Sequence, residues 1–147
     1  VVNLKIKTYF RRTKSKIINL NTEISEGVKV TVTSNFRTDL SYLDLGRYFF
    51  NYRIEIKNFN HFKIKLLHRD WYIFDSLGEA VFVSGEGVVG EQPVLQGGES
   101  FRYTSGVELA SELGYMKGYF TFINLGTENH FQVHVPKIQL NCPLKLN

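Results

Sequence analysis

Phe50-Asn51-Tyr52-Arg53-Ile54-Glu55-Ile56-Lys57, followed by Asn58-Phe59-Asn60-His61, is the stretch that decides the fold. Its apolar residues fall at every second position and its polar residues between them, which is the period of a half-buried strand. The Asn-rich tetrapeptide then supplies a turn. Working outward, Val28, Val30 and Val32 alternate with Lys29, Thr31 and Thr33 in the same way. Downstream, Phe62, Ile64 and Leu66 run on through Trp71-Tyr72-Ile73-Phe74 to the turn Asp75-Ser76-Leu77-Gly78. Ala80 to Val83 forms a further strand leading into a Gly-rich loop. Pro93-Val94-Leu95 and the turn Gln96-Gly97-Gly98-Glu99 precede a strand at Phe101-Arg102-Tyr103-Thr104. Two more strands, 116 to 123 and 131 to 135, flank a turn at Asn124-Leu125-Gly126-Thr127-Glu128-Asn129. The stretch Val107-Glu108-Leu109-Ala110-Ser111-Glu112-Leu113 is the only candidate helix, confined to about two turns by Gly106 and Gly114. About seven short strands with turns at this spacing predict an all-β, antiparallel two-sheet sandwich.

Bulk properties bound the rest. A chain of 147 residues suits one domain, and 43% apolar residues with 12 Phe and 8 Tyr give it material for a core. The single cysteine, Cys142, excludes an intrachain disulfide and points to a reducing, cytoplasmic compartment. No stretch approaches the roughly 20 apolar residues that a membrane helix needs. The net charge of +4 is uneven: residues 1 to 20 hold six basic residues and no acid, leaving 12 basic against 14 acidic residues beyond them. The basic character therefore belongs to the tail, and nucleic-acid contact is not expected elsewhere. The domain is expected to span 28–147, with 1–27 a basic N-terminal extension. Three readings of the tail stay open: a phosphate-binding arm, a solvated extension, or translation that truly begins nearer Asn21, since AT-rich non-coding DNA would spell such residues.

Gly85-Glu86-Gly87-Val88-Val89-Gly90 spells G-x-G-x-x-G, whose dinucleotide-binding logic needs a preceding strand and a following helix. Glu91-Gln92-Pro93 follows at once, and the proline excludes a helix there. Glu86 and Glu91 would also set two carboxylates beside a phosphate. The glycines are better explained by positive φ or close backbone approach. His130 and His134 would share a face of a strand, but their α-carbons would stand about 13 Å apart, too far for one ion. The remaining histidines, His61 and His68, add no spacing, so no metal or cofactor is expected. Neither Ser84 nor Ser105 lies in G-x-S-x-G, and both are expected in turns. Cys142, beside Pro143, has no evident base and reads as an inert thiol.

Three blocks together resemble the ApaG family: Gly85-Glu86-Gly87-Val88-Val89-Gly90-Glu91-Gln92-Pro93, Phe101-Arg102-Tyr103-Thr104-Ser105-Gly106 and Leu113-Gly114-Tyr115-Met116-Lys117-Gly118-Tyr119. The likeness extends to Leu66-Leu67-His68-Arg69-Asp70-Trp71 and Val135-Pro136-Lys137-Ile138-Gln139-Leu140, spanning residues 28 to 142 or so. Residues 37 to 46 follow the pattern less closely. The resemblance implies an immunoglobulin or fibronectin type III kind of sandwich. It also implies a non-enzymatic module, loosely linked in bacteria to cobalt and magnesium tolerance and resembling protein-interaction domains of eukaryotic F-box and polymerase-interacting proteins. Candidate binding positions are Gly85, Glu86, Gly87, Gly90, Glu91, Gln92, Arg69, Tyr103, Thr104, Ser105 and Gly106. The expected partner is a protein, and a homodimer through an open sheet edge is a further expectation. The enzymatic alternative is a phosphate- or metal-assisted hydrolase with Glu86, Glu91 and Arg69 around a cation.

Overall fold

The computed structural model describes residues 19–143. One sheet holds β1 (Asn19–Ser25), β2 (Val28–Phe36), β3 (Tyr48–Asn58) and β7 (Ser100–Leu109) in the order β1-β2-β3-β7. The other holds β4 (Ile64–Asp75), β5 (Val81–Glu86), β8 (Leu113–Asn124) and β9 (His130–Asn141) in the order β5-β4-β8-β9, with β6 (Val94–Leu95) also on β4. All pairings are antiparallel. The alternation that predicts β3 is obeyed along its length: Tyr48, Phe50, Tyr52, Ile54 and Ile56 are buried. They pack in one core with Ile64, Leu66, Trp71, Met116, Phe120 and Phe122 of the facing sheet. Each such side chain contributes about 1.5–3 kcal/mol of burial free energy. No helix among the described residues is long and apolar enough to cross a membrane.

Three expectations change. The sandwich begins at Asn19 rather than Val28, because β1 pairs with β2 from Asn19–Ser34 to Ser25–Val28. Its turn, Glu26-Gly27, has positive φ at both residues (51° and 70°), the hairpin geometry that matches strand twist. The apolar residues of β1, Leu20 and Ile24, point to solvent, and its inward positions are polar. Those inward groups meet β9: Asn21 Nδ2 donates to the Lys137 carbonyl at 2.7 Å, and Ser25 Oγ accepts from the His134 amide at 3.0 Å. Residues 1–18, with every basic residue of the tail, lie outside the described residues.

The expected helix over 107–113 is instead the end of β7, a turn and the start of β8. Val107 and Leu109 pair with Phe50 and Tyr48 on β3, and Leu109 is buried. Buried Asp75, at the end of β4, holds the turn by accepting from the Ala110 amide and the Ser111 hydroxyl, each at 2.6 Å. Among the described residues the strands number nine rather than seven, β1 and the two-residue β6 being the additions.

The two long sides of the sandwich differ. On one, β9 is joined to the first sheet by the two β1 contacts and by Ser34 Oγ, which donates to the Gln139 carbonyl. On the other, the sheet edges are β5 and β7, and a cavity of about 220 Å³ opens between them.

Candidate functional site

The open side is organised by a bulge in β4 between Leu66 and His68. The bulge frees the Leu67 carbonyl, which accepts from the Gly87 amide and from Gln92 Nε2, both at 2.9 Å. Beyond it, Arg69 pairs across from Gly85 and turns inward. Arg69 Nη1 donates to the Glu86 and Gly87 carbonyls at 2.9 Å each. A Cβ on Gly85 would lie 3.1 Å from that same nitrogen, so the glycine makes room for the guanidinium. Val88, fully buried, then inserts between the sheets. The chain reverses through Val89 and Gly90, whose φ values are 44° and 78°, closed by Val88 and Glu91 bonding each other's carbonyls at 2.8 and 2.9 Å.

This geometry shows what the glycine motif is for. The loop is a hairpin-type turn between β5 and β6. Three of its amides, those of Gly87, Val88 and Glu91, are already hydrogen-bonded to backbone carbonyls. A phosphate would have to displace those bonds. The dinucleotide reading is therefore disfavoured by geometry as well as by the missing helix.

Facing the loop across the opening is β7. Tyr103 and Ser105 point inward, and the loop residues Val88 and Val89 line the same cavity as Arg69, Tyr103, Ser105 and Gly106. Two motifs far apart in sequence thus form one site. The Tyr52 phenol, whose pKa burial pushes up, belongs to the β3 residue paired across from Ser105. Tyr103 is 8% exposed, and its hydroxyl is a buried group with no hydrogen-bond partner. Burial likewise drives the Tyr103 pKa well above that of an ordinary phenol, so the hydroxyl keeps its proton.

Other candidate residues stand elsewhere. Thr104 is exposed, on the outer face of β7, as strand parity requires of the residue between Tyr103 and Ser105. Glu86 pairs with His68 on the outer face of the second sheet, whereas Arg69 faces inward, so Glu86, Glu91 and Arg69 do not close around a common point. Gln92 is engaged with Leu67. Among the described residues no group of three or more His, Cys, Asp or Glu side chains could hold a metal ion.

Sequence reasoning misses a polar cluster on that outer face. Ser84 lies within β5 rather than in a turn; its hydroxyl donates to Asp70 at 2.6 Å, and His68 Nε2 lies 2.8 Å from the same oxygen. With its one proton given to Asp70, Ser84 accepts from His68. The imidazole is therefore not placed to take the serine proton, as nucleophile activation requires. Beside it runs an aromatic row. Phe82, 78% exposed, packs edge-on against Tyr72 at 5.0 Å, and Phe74 stacks on Tyr115 at 5.0 Å. The ammonium groups of Lys117 and Lys137 sit over Tyr72 and Tyr115. The signal for this cluster is register, which no single strand carries.

Two antiparallel sheets packed over one core, with a glycine turn and inward β7 residues at an open edge, define an immunoglobulin or fibronectin type III-like β-sandwich module. The family model described as the ApaG domain matches residues 39–124. The chain belongs to the ApaG family. It is 41% identical to Protein ApaG of Bradyrhizobium diazoefficiens over 120 residues, covering 82% of this chain and 92% of the relative. It is also 41% identical to Protein ApaG of Xylella fastidiosa over 124 residues, covering 84% and 96%. A crystal structure described as the ApaA protein of Bordetella pertussis superposes with a TM-score of 0.74 at 30% identity, covering 87% of this chain and 97% of that one. None of these three names denotes a catalytic activity.

Proposed function

We propose that the chain is a non-enzymatic, cytoplasmic binding module that recognises a protein partner at its open side. The observation that carries this reading is convergence: the glycine turn, Arg69 and the Tyr103 to Gly106 segment meet at the long side of the sandwich where, among the described residues, no side-chain hydrogen bond joins the edge strands β5 and β7. Edge strand β5 borders that opening with Val81, Phe82 and Val83 exposed. An edge strand offers unpaired backbone groups, and an exposed aromatic beside it offers an anchor for a partner strand or loop. The rigid sheets position the site, so little ordering cost falls on this chain when it binds. In this reading any part in cobalt or magnesium tolerance runs through the partner rather than through a metal held here.

The test is site-specific photo-crosslinking in cells, with a photoreactive phenylalanine at position 82 and, as control, at position 31 on the outer face of β2. A discrete crosslinked protein at 82, absent at 31, is expected. Identical patterns from the two positions would overturn the proposal.

A further inference from the structure

We infer that the cavity between β5 and β7 is a carboxylate site. It takes a small acid on a compact apolar stem, with the carboxylate accepting from the Tyr103 hydroxyl and the Arg69 guanidinium. The inference rests on the open side being a binding surface, and it names the chemistry recognised there.

The donors come first. Tyr103 Oη is the one buried side-chain polar atom without a partner among the described residues, and Tyr103 lines the cavity. An orphaned buried hydroxyl destabilises a fold, and phenylalanine would fill the same space without that cost. A protonated phenol with nothing to donate to calls for an acceptor. Arg69 supplies the charge. Its hydrogen bonds among the described residues run through Nη1, which leaves Nε and Nη2 unspent, and no carboxylate pairs with it. A guanidinium and a phenol lining one cavity suit an acceptor-only, planar, singly charged group.

The walls come second. Trp71, Ile73, Val83, Val88, Val107 and Met116 supply the apolar part of the lining, beside Arg69, Tyr103 and Ser105. Among the described residues Arg69 is the only cationic one in the lining, so a singly charged carboxylate is balanced there while the second charge of a phosphate would be buried unpaired. The volume of about 220 Å³ equals that of about seven liquid waters, enough for a carboxylate with a stem of a few carbons. Both a free branched-chain acid and the C-terminal residue of a protein present this chemistry.

The experiment is a two-dimensional NMR titration of the full chain with 3-methylbutyrate, its neutral amide, inorganic phosphate, and a short peptide ending in Val with either a free or an amidated C-terminus. The expected result is that the acid forms perturb the amides of Gly87 to Gly90 and Tyr103 to Gly106, while the neutral forms and phosphate leave them unmoved. Tighter binding of the free-carboxylate peptide assigns the source as a protein terminus, and tighter binding of the small acid assigns a free acid; each supports the site. Tyr103→Phe is expected to fold at least as stably as the parent and to weaken the acid about tenfold or more, which is about 1.4 kcal/mol. Perturbation by amide and acid alike, none by either, or undiminished binding by Tyr103→Phe would overturn the inference. Crosslinking at Phe82 that persists when every acid fails would overturn this inference alone and leave the protein-binding reading standing.

Discussion

Alanine at each glycine of the turn separates three physical demands that share one spelling. Gly90 has φ 78° and nothing within 4 Å of an added Cβ, so Gly90→Ala meets only the left-handed conformation. That costs about 1–2 kcal/mol, offset by about 0.4–1 kcal/mol from the reduced entropy of the unfolded chain. A net loss of about 1 kcal/mol follows. Gly87 has φ 60° and, in addition, its Cβ would fall 2.1 Å from the Glu91 carbonyl oxygen and 2.8 Å from the carbonyl carbon. Both are backbone atoms, so the turn must open and the two Val88–Glu91 bonds stretch, at about 1 kcal/mol each. Gly87→Ala should therefore cost about 3–5 kcal/mol once overpacking is included. Gly85→Ala meets only the flexible end of Arg69 at 3.1 Å and should cost less than about 1 kcal/mol. Urea denaturation of the three variants, with the slope checked for constancy, measures the order directly. If Gly87→Ala and Gly90→Ala fall within about 0.5 kcal/mol of each other, backbone approach is not what the central glycine supplies.

Three further outcomes are expected. Burial acts against the charge on Asp75, but hydrogen bonds from Ser111, Ala110 and Leu77 outweigh it and hold the carboxyl below its ordinary pKa. The stability this supplies is present above the unfolded carboxylate value near 3.9 and is lost as pH falls through the lower folded value. Asp75→Asn should cost about 1.5–3 kcal/mol at pH 7 and flatten the acid limb of a pH-stability curve; an unchanged limb would count against the network. Relative to a chain starting at residue 19, one starting at 28 loses β1 and its bonds to Lys137 and His134, costing at least about 2 kcal/mol in urea denaturation. Equal midpoints for the 19 and 28 starts would restore the later boundary. Cys142 is 3% exposed, so its thiol should react with a thiol reagent at the rate of unfolding, and fast labelling under native conditions would contradict its burial.

The parts of the fold legible in the sequence are those where one strand carries its own evidence. β3 announces itself because from Phe50 to Lys57 every inward position is apolar and every outward one polar. β1 hides because its inward positions, Asn21 and Ser25, face backbone groups of β9 rather than the core. The stretch 107–113 mimics a helix because Leu109 and Leu113 lie four apart, although one is buried at the end of β7 and the other exposed at the start of β8. The site is harder still, since it depends on parity and on pairing across sheets. Tyr103 and Thr104 are neighbours in the motif, yet one enters the cavity and the other faces solvent. Arg69 and Tyr103 lie on different sheets and meet only because the Leu67 bulge holds the glycine turn over the opening. The two omissions are connected. The polar inner face that conceals β1 is what joins β1 to β9 and shuts that side of the sandwich. The opposite side, between β5 and β7, is then where a ligand can reach the inward-facing residues of both sheets.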